Sequence, residues 1–373
     1  MHSMHIPERR HPWQVIKPYL NVFDGPLMLI LFLLLSVSSM AMYSAGYDHG
    51  SRFDDHLRNI MISFVVMWMA ALMPPQMLMR LAVPLYTIGV GLLIAVAMFG
   101  IVKKGARRWI DVGVVIQPSE LLKIAVPLML AWFFQKREGT LRWQDFAGAA
   151  ILLVIPVALI AKQPDLGTSL LVLASGFYVI FLAGLSWKVL LGLFLTGMAS
   201  LPIVWSVLHD YQRQRVLTLI DPTTDPLGKG FHIIQSMIAI GSGGVSGKGW
   251  FKGTQAHLEF IPERTTDFLF AVYSEEFGLI GNLALLFIYL LLIGRGLLIA
   301  ANAPTVFTRL LAGALTMILF TYAFVNMGMV SGILPVVGVP LPFMSYGGTA
   351  FVTLGLGVGM LMSIQRHRKL VQT

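Results

Sequence analysis

Glu259-Phe-Ile-Pro-Glu-Arg-Thr-Thr-Asp267-Phe-Leu-Phe-Ala-Val-Tyr-Ser-Glu-Glu-Phe-Gly-Leu-Ile-Gly-Asn-Leu-Ala-Leu-Leu-Phe-Ile-Tyr-Leu-Leu-Leu-Ile293 decides the fold. A polar segment runs straight into the apolar stretch 268–293, which exceeds the ~20 residues a helix needs to cross a bilayer. Asp267 stands at the junction. Two readings of it are open. Thr265, Thr266 and Asp267 suit the N-cap of the helix that follows. A carboxylate at the rim of an oily chain also suits chemistry.

Outward from this stretch the chain stays oily. Of 373 residues, 56% are hydrophobic and only 12% charged, with a mean hydropathy of +0.76. A soluble chain carries about twice that charged fraction. The composition therefore predicts an all-α polytopic membrane protein. Apolar stretches near 26–45, 59–73, 81–102, 118–134, 147–161, 168–184, 188–207, 268–293, 309–330 and 349–364 predict about ten transmembrane helices. No small-residue cleavage site follows a short apolar run near the start, so no cleavable signal is expected. The absence of Cys excludes disulfides and thiolate metal sites. The formal charge of +9 fits attraction to anionic lipid or phosphate. The basic residues are scattered and form no nucleic-acid module.

Ten spans place both termini on one side, and the Lys/Arg count of the short loops chooses which. With both termini cytoplasmic, inner segments hold thirteen basic residues and short outer loops seven. The expected organisation is a single integral-membrane domain over 1–373. It has a cytoplasmic segment 1–25, a large extracytoplasmic loop 208–267 between helices 7 and 8, and a cytoplasmic tail 365–373.

Several motifs stand out against this background. Lys103-Lys-Gly-Ala-Arg-Arg-Trp109 puts four basic residues in an outer loop, against the charge rule. They serve either as an interfacial anchor or in function. Glu120 and Lys123 share a helix face and can pair. Charge inside a membrane helix usually faces a polar cavity, although the pair can also be purely structural. Asp165, in Lys162-Gln-Pro-Asp165-Leu-Gly-Thr168, suits a helix cap, or the orientation of a basic residue. His232 to Ile240 reads as a short interfacial helix. Gly241-Ser-Gly-Gly-Val-Ser-Gly247-Lys248-Gly249 fails the phosphate-loop pattern. It reads as a flexible connector or as a set of backbone amides that can hold phosphate. Gly332 to Gly348 carries three prolines and no charge, which predicts a re-entrant loop buried in protein. The nine His lack ligand spacing.

Taken together, Ala106-Arg-Arg-Trp109, Gln117-Pro-Ser-Glu120-Leu-Leu-Lys123, Lys162-Gln-Pro-Asp165-Leu-Gly-Thr168, Tyr211-Gln-Arg213-Gln-Arg215, Gln235-Ser236, Gly241-Ser-Gly-Gly244, Gly247-Lys-Gly249, Glu259 to Phe268 and Pro340-Leu-Pro-Phe-Met-Ser345-Tyr-Gly-Gly348 resemble the SEDS family of bacterial shape, elongation, division and sporulation proteins. The likeness runs from Phe23 to Lys369. Val325 to Gly338 and the basic tail resemble its rod-elongation branch. Thr265 departs from the pattern, since close relatives often carry His there.

The resemblance implies a peptidoglycan glycosyltransferase of the cytoplasmic (inner) membrane, needed for cell elongation and rod shape. It would polymerise lipid II outside the membrane into β-1,4 glycan and release undecaprenyl diphosphate. It would work beside a class B penicillin-binding protein, with membrane lipid around it and no nucleic acid. An inverting single displacement needs one base and cations for the leaving diphosphate. The resemblance assigns the base to Asp267. Arg107, Arg108, Trp109, Arg213, Arg215 and Lys248 become the substrate-binding set. Glu120, Lys123, Asp165, Gln235, Ser236 and Ser345 become a supporting polar network. A divalent cation, Mg or Mn, held partly by the substrate can also serve, although the sequence shows no dedicated cage. No organic cofactor is expected.

A lipid-linked precursor flippase is the alternative. It predicts polar groups at the midplane and two related halves, whereas these motifs gather on the outer side. The topology has a direct check. In this Cys-free chain, Gln255→Cys should react with an impermeant thiol reagent from outside the cell, and labelling only from the cytoplasm would overturn the assignment.

Overall fold

The computed structural model describes residues 22–48, 50–103, 106–111, 115–139, 141–163, 165–208, 213, 217–219, 221, 229–258, 260–261 and 263–368. The long helices are α1 Gly25–Ala45, α2 Arg52–Leu72, α3 Pro75–Phe99, α4 Pro118–Gln135, α5 Trp143–Ala161, α6 Leu166–Leu182, α7 Trp187–Val207, α10 Leu269–Ala301, α11 Val306–Val330 and α12 Gly348–His367. The shorter α8 Lys229–Gly243 and α9 Thr254–His257 lie between α7 and α10. Each predicted apolar stretch falls on one long helix. Six of them (α1, α3, α5, α10, α11 and α12) are long and apolar enough to cross a membrane by themselves. The chain is thus a multi-pass helical membrane protein. α2 starts at Arg52, before its apolar stretch, because its first turns carry Asp54 and Asp55, which favour a helix N-terminus.

α4 is the central helix. Leu122 to Ala131 are all buried, and α3, α5, α6, α11 and α12 pack around it. The surrounding helices also keep the Lys123 charge of α4 inside the bundle and away from lipid. α1 is fastened to α10 where it begins. Asp24 accepts from the Leu27 amide at 3.0 Å and from Arg295 Nε at 2.9 Å. Burial works to raise the Asp24 carboxyl. Its bonds to Arg295 and Leu27 outweigh burial and hold it below the usual carboxylate range.

Two features depart from the sequence reading. Between α3 and α4 the chain forms an antiparallel sheet of β1 Ile101–Lys103, β2 Ala106–Asp111 and β3 Val115–Ile116, in that order. The basic stretch read as a plain loop is therefore largely strand.

The second departure is the glycine-rich segment 241–249, which is neither a flexible connector nor a phosphate cradle. α10 breaks at Gly278, where φ is 63° and ψ is −159°, and the segment fills the break. Lys248 N donates to Glu275 O at 3.0 Å and Gly249 N to Glu276 O at 2.9 Å. In return, Leu279 N donates to Gly244 O at 2.9 Å and Ile280 N to Val245 O at 3.1 Å. Glycine is required for this approach: a Cβ on Gly247 would lie 2.0 Å from Glu276 O, and one on Gly278 2.3 Å from Gly247 N. Gly278→Ala should therefore cost ~3 kcal/mol through backbone strain and overpacking. Its thermal unfolding in detergent should shift well below that of the parent, and an unchanged midpoint would refute the account.

Candidate active site

α4, α6, α10 and α12 all begin at one end of the bundle, around a cavity of ≈ 610 Å³. Asp267 lies on its wall, half-buried. The helix after it starts at Leu269 with Phe268 in the cap position, so the N-cap reading of Asp267 does not hold. Instead Asp267 ends a compact turn in which Thr266 N and Phe268 N both donate to Glu263 O, at 3.1 and 3.2 Å.

Buried polar groups hold this turn in place. Arg264 donates to Ala45 O at 2.9 Å and pairs with Asp48. Asn326 Nδ2 donates to both Asp267 O at 2.8 Å and Val339 O at 2.7 Å. Tyr346 N donates to Thr265 O at 2.8 Å. These bonds clamp the Asp267 turn to the segment 331–347, which is irregular, buried at Val339 and over 341–345 and half-buried over most of the rest, with Ile333 and Gly338 exposed. In that segment Gly338, at φ +75°, faces the carboxylate: a Cβ there would sit 3.3 Å from Asp267 Oδ2.

Two cations, Arg108 and Lys123, also line the cavity. Lys123, buried, donates to Glu120 Oε1 at 2.6 Å and lies 5.2 Å from the Tyr322 ring centre. Both Glu120 and Lys123 face the cavity. Asp165 fills both roles expected of it. It accepts from Thr168 N at 3.2 Å, capping α6. It also accepts from Gln117 Nε2 at 3.0 Å and lies 3.8 Å from Arg108 Nη1. The helix starts add to the positive field. The cap positions Gln117 of α4, Phe268 of α10 and Gly347 of α12 make no side-chain cap bond. Uncapped amides and helix dipoles favour anions at such an end.

Several expected site residues lie elsewhere. Strand alternation turns Arg107 away from Arg108. Arg107 is exposed and donates to Ala97 O at 3.3 Å, and neither it nor Trp109 is on the cavity wall. Lys248 is taken up by Glu275 Oε1 at 2.6 Å. Arg213 donates to Trp205 O and Ser206 O at the end of α7. Ser236 Oγ fastens α8 to Val330 O at 2.9 Å. Ser345 Oγ accepts from Leu341 N at 2.9 Å within the re-entrant segment. Gln235 is half-buried on α8, off the wall. Arg215 lies outside the described residues.

The sequence reading missed Glu263, His232 and Tyr346, which all line the cavity. Glu263 stands four residues before Asp267 in the stretch that decides the fold. For His232 and Tyr346 no local signal tells which way the chain turns. Among the described residues, no group of three or more His, Asp or Glu is arranged to hold a metal.

Comparison with known proteins agrees along the whole chain. Residues 21–370 match the FtsW/RodA/SpoVE cell cycle protein family. The chain is 52% identical to the peptidoglycan glycosyltransferase MrdB of Escherichia coli K12, over 98% of both proteins. It is 35% identical to MrdB of Helicobacter pylori 26695, over 93% of this chain and 89% of that one. Among solved structures it resembles a chain of a peptidoglycan synthase complex, described as coordinating polymerization and crosslinking. That likeness has a TM-score of 0.81 and 33% identity, over 94% and 99% of the two chains. It also resembles the rod shape determining protein RodA of Thermus thermophilus, with a TM-score of 0.70 and 28% identity, over 93% and 97%.

The buried Glu120–Lys123 pair can be tested by its stability. Removing one partner leaves an unpaired buried charge, which costs ~3–5 kcal/mol. Lys123→Ala should therefore unfold well below the parent on heating in detergent, while Glu120→Gln combined with Lys123→Met recovers most of the loss. Equal stability of single and double variants would show that the pair is not coupled.

Proposed function

The chain belongs to the FtsW/RodA/SpoVE family, and we propose that it polymerises lipid II in the Asp267 cavity. It is a peptidoglycan glycosyltransferase, as its curated relatives are. The observation that supports this site is the content of one cavity. A carboxylate held by a clamped turn shares its lining with Arg108, Lys123 and the uncapped starts of α4, α10 and α12.

That arrangement suits a single displacement. Asp267 accepts the proton of the attacking sugar hydroxyl as the new bond forms. Arg108, oriented by Asp165, and the helix-start amides stabilise the leaving diphosphate. Lys123, neutralised by Glu120, sets the field at the cavity floor. Glu263 and Asp267 offer the oxygen ligands that Mg or Mn takes, and a substrate diphosphate would complete the shell of an ion that neutralises the leaving group. The polar groups gather around the starts of α4, α6, α10 and α12, at one end of the bundle. A transporter would place them at the midplane.

Two further parts complete the reading. The basic-residue asymmetry of the loops supports an extracytoplasmic face for the cavity. The whole-chain likeness to a member of a polymerising and cross-linking complex supports a transpeptidase partner, a class B penicillin-binding protein.

Two sets of variants test the chemistry with purified lipid II. Asp267→Asn should fold and insert, yet lose ~10²-fold or more of its polymerisation rate, as loss of a general base gives. Near-normal synthesis by the folded variant would end the assignment. Arg108→Ala should raise the lipid II concentration needed for half-maximal rate, and Arg107→Ala should not. Equal effects of the two would show that strand alternation does not set substrate contact.

A further inference from the structure

The end of the bundle opposite the Asp267 cavity holds a second cleft, which the reaction leaves unused. α4 and α12 begin at the cavity and end here, while α3 and α11 begin here. Between these four ends lies a cleft of ≈ 180 Å³. Its walls include Gln76 and Met79 on α3, Gln135 at the end of α4, Thr305 and Phe307 at the start of α11, and Ile364 on α12. In the topology proposed above this is the cytoplasmic end.

The walls are fastened to one another. Gln135 Oε1 accepts from Phe307 N at 2.8 Å and joins α4 to α11. Thr305 Oγ1 accepts from Thr308 N at 3.2 Å and caps α11. Ser363 Oγ, one residue before Ile364, donates to Met73 O and ties α12 to the turn before α3. Gln135 and Thr305 are occupied by these bonds, so what the cleft offers a guest is mainly the apolar surface of Met79, Phe307 and Ile364.

Cations stand beside the walls. Arg80 lies one helical turn beyond Gln76 and shares its face. Arg309 lies one turn beyond Thr305, whose carbonyl accepts from Arg309 N at 3.0 Å. Lys136 follows Gln135 directly. All three are exposed. A basic excess is ordinary at a cytoplasmic end, but pairing separates this group from its neighbours. Arg137 is held by Asp145 at 2.6 Å, and Arg295 by Asp24. Among the described residues, Arg80, Lys136 and Arg309 have no ion-pair partner. Glu138, the carboxylate beside Gln135, accepts from Gln135 Nε2.

We propose that this cleft binds an anionic phospholipid. Its phosphate lies among Arg80, Lys136 and Arg309, and the start of an acyl chain lies against Met79, Phe307 and Ile364. Charge complementarity selects the occupant. Basic clefts between membrane helices suit anionic headgroups, and the long basic side chains of first helical turns reach headgroup level. A neutral lipid would leave the cations unmatched, and free phosphate would leave the apolar walls bare. The proposal does not depend on the polymerase reading.

The test uses the full-length protein in detergent after its native lipid has been removed. Phosphatidylglycerol is titrated in, with phosphatidylcholine of the same chains as the neutral counterpart. Native mass spectrometry reads occupancy, and thermal unfolding reads protection. The parent should retain one phosphatidylglycerol per chain and unfold at a higher temperature with it, and phosphatidylcholine should do neither. The double variant Arg80→Gln, Arg309→Gln should bind phosphatidylglycerol about ten- to thirtyfold more weakly, the loss expected for two cations near a lipid phosphate. A control pair at the same end but off the cleft walls, Arg142→Gln with Lys188→Gln, should bind as the parent does. The proposal is overturned if both pairs weaken binding equally, which would make the attraction a general property of the basic face. It is also overturned if neither pair weakens binding, if phosphatidylcholine binds as well as phosphatidylglycerol, or if inorganic phosphate alone protects as well as the lipid.

Discussion

Hydrocarbon supplies no hydrogen bonds, so every backbone break inside the membrane must be repaired by the protein itself. The architecture follows from two such repairs. At Gly278 the helix α10 stops and restarts, and the 244–249 backbone supplies the partners the helix has lost. Between α11 and α12 the chain abandons helix altogether. There side chains from other helices reach its carbonyls: Ser38 to Met344 O, Tyr289 to Pro342 O and Asn326 to Val339 O. The second repair brings irregular backbone to the start of α10, where Val336 to Pro340 line the cavity beside Asp267.

The same economy governs charge. The cavity does not expose bare ions to the bundle interior. Lys123 stands with Glu120, and Arg108 with Asp165. Pairing keeps each charge tolerable in a low-dielectric setting. Helix starts add partial positive charge, which needs no counter-ion and cannot be titrated.

Much of this was legible in the chain. The ten apolar stretches gave the long helices because hydropathy over ~20 residues is a strong signal. The three-residue spacing of Glu120 and Lys123 foretold their bond. Asp165 carried both its roles in its motif. What failed was inference from local charge. Arg107 and Arg108 are neighbours in sequence, but a strand sends successive side chains to opposite faces, and β2 was not foreseen. Lys248 looked available for phosphate. Its partner Glu275 lies on a helix 27 residues later, and nothing local reveals the pairing. Asp267 looked like a cap because Thr-Thr-Asp usually is one, while the helix in fact starts two residues on. The glycines of 241–249 read as freedom, whereas they mark the closest backbone contact between the loop and α10.

Asn326 has a mechanical consequence. One amide nitrogen ties the Asp267 carbonyl to the Val339 carbonyl, and Tyr346 N adds a second tie to Thr265. The Asp267 turn and the segment 331–347 are therefore fastened main chain to main chain, so a substitution that shifts either one shifts the carboxylate. Arg108 is placed from elsewhere, on the six-residue strand β2, with Gln163 O at 3.3 Å and Asp165 at 3.8 Å.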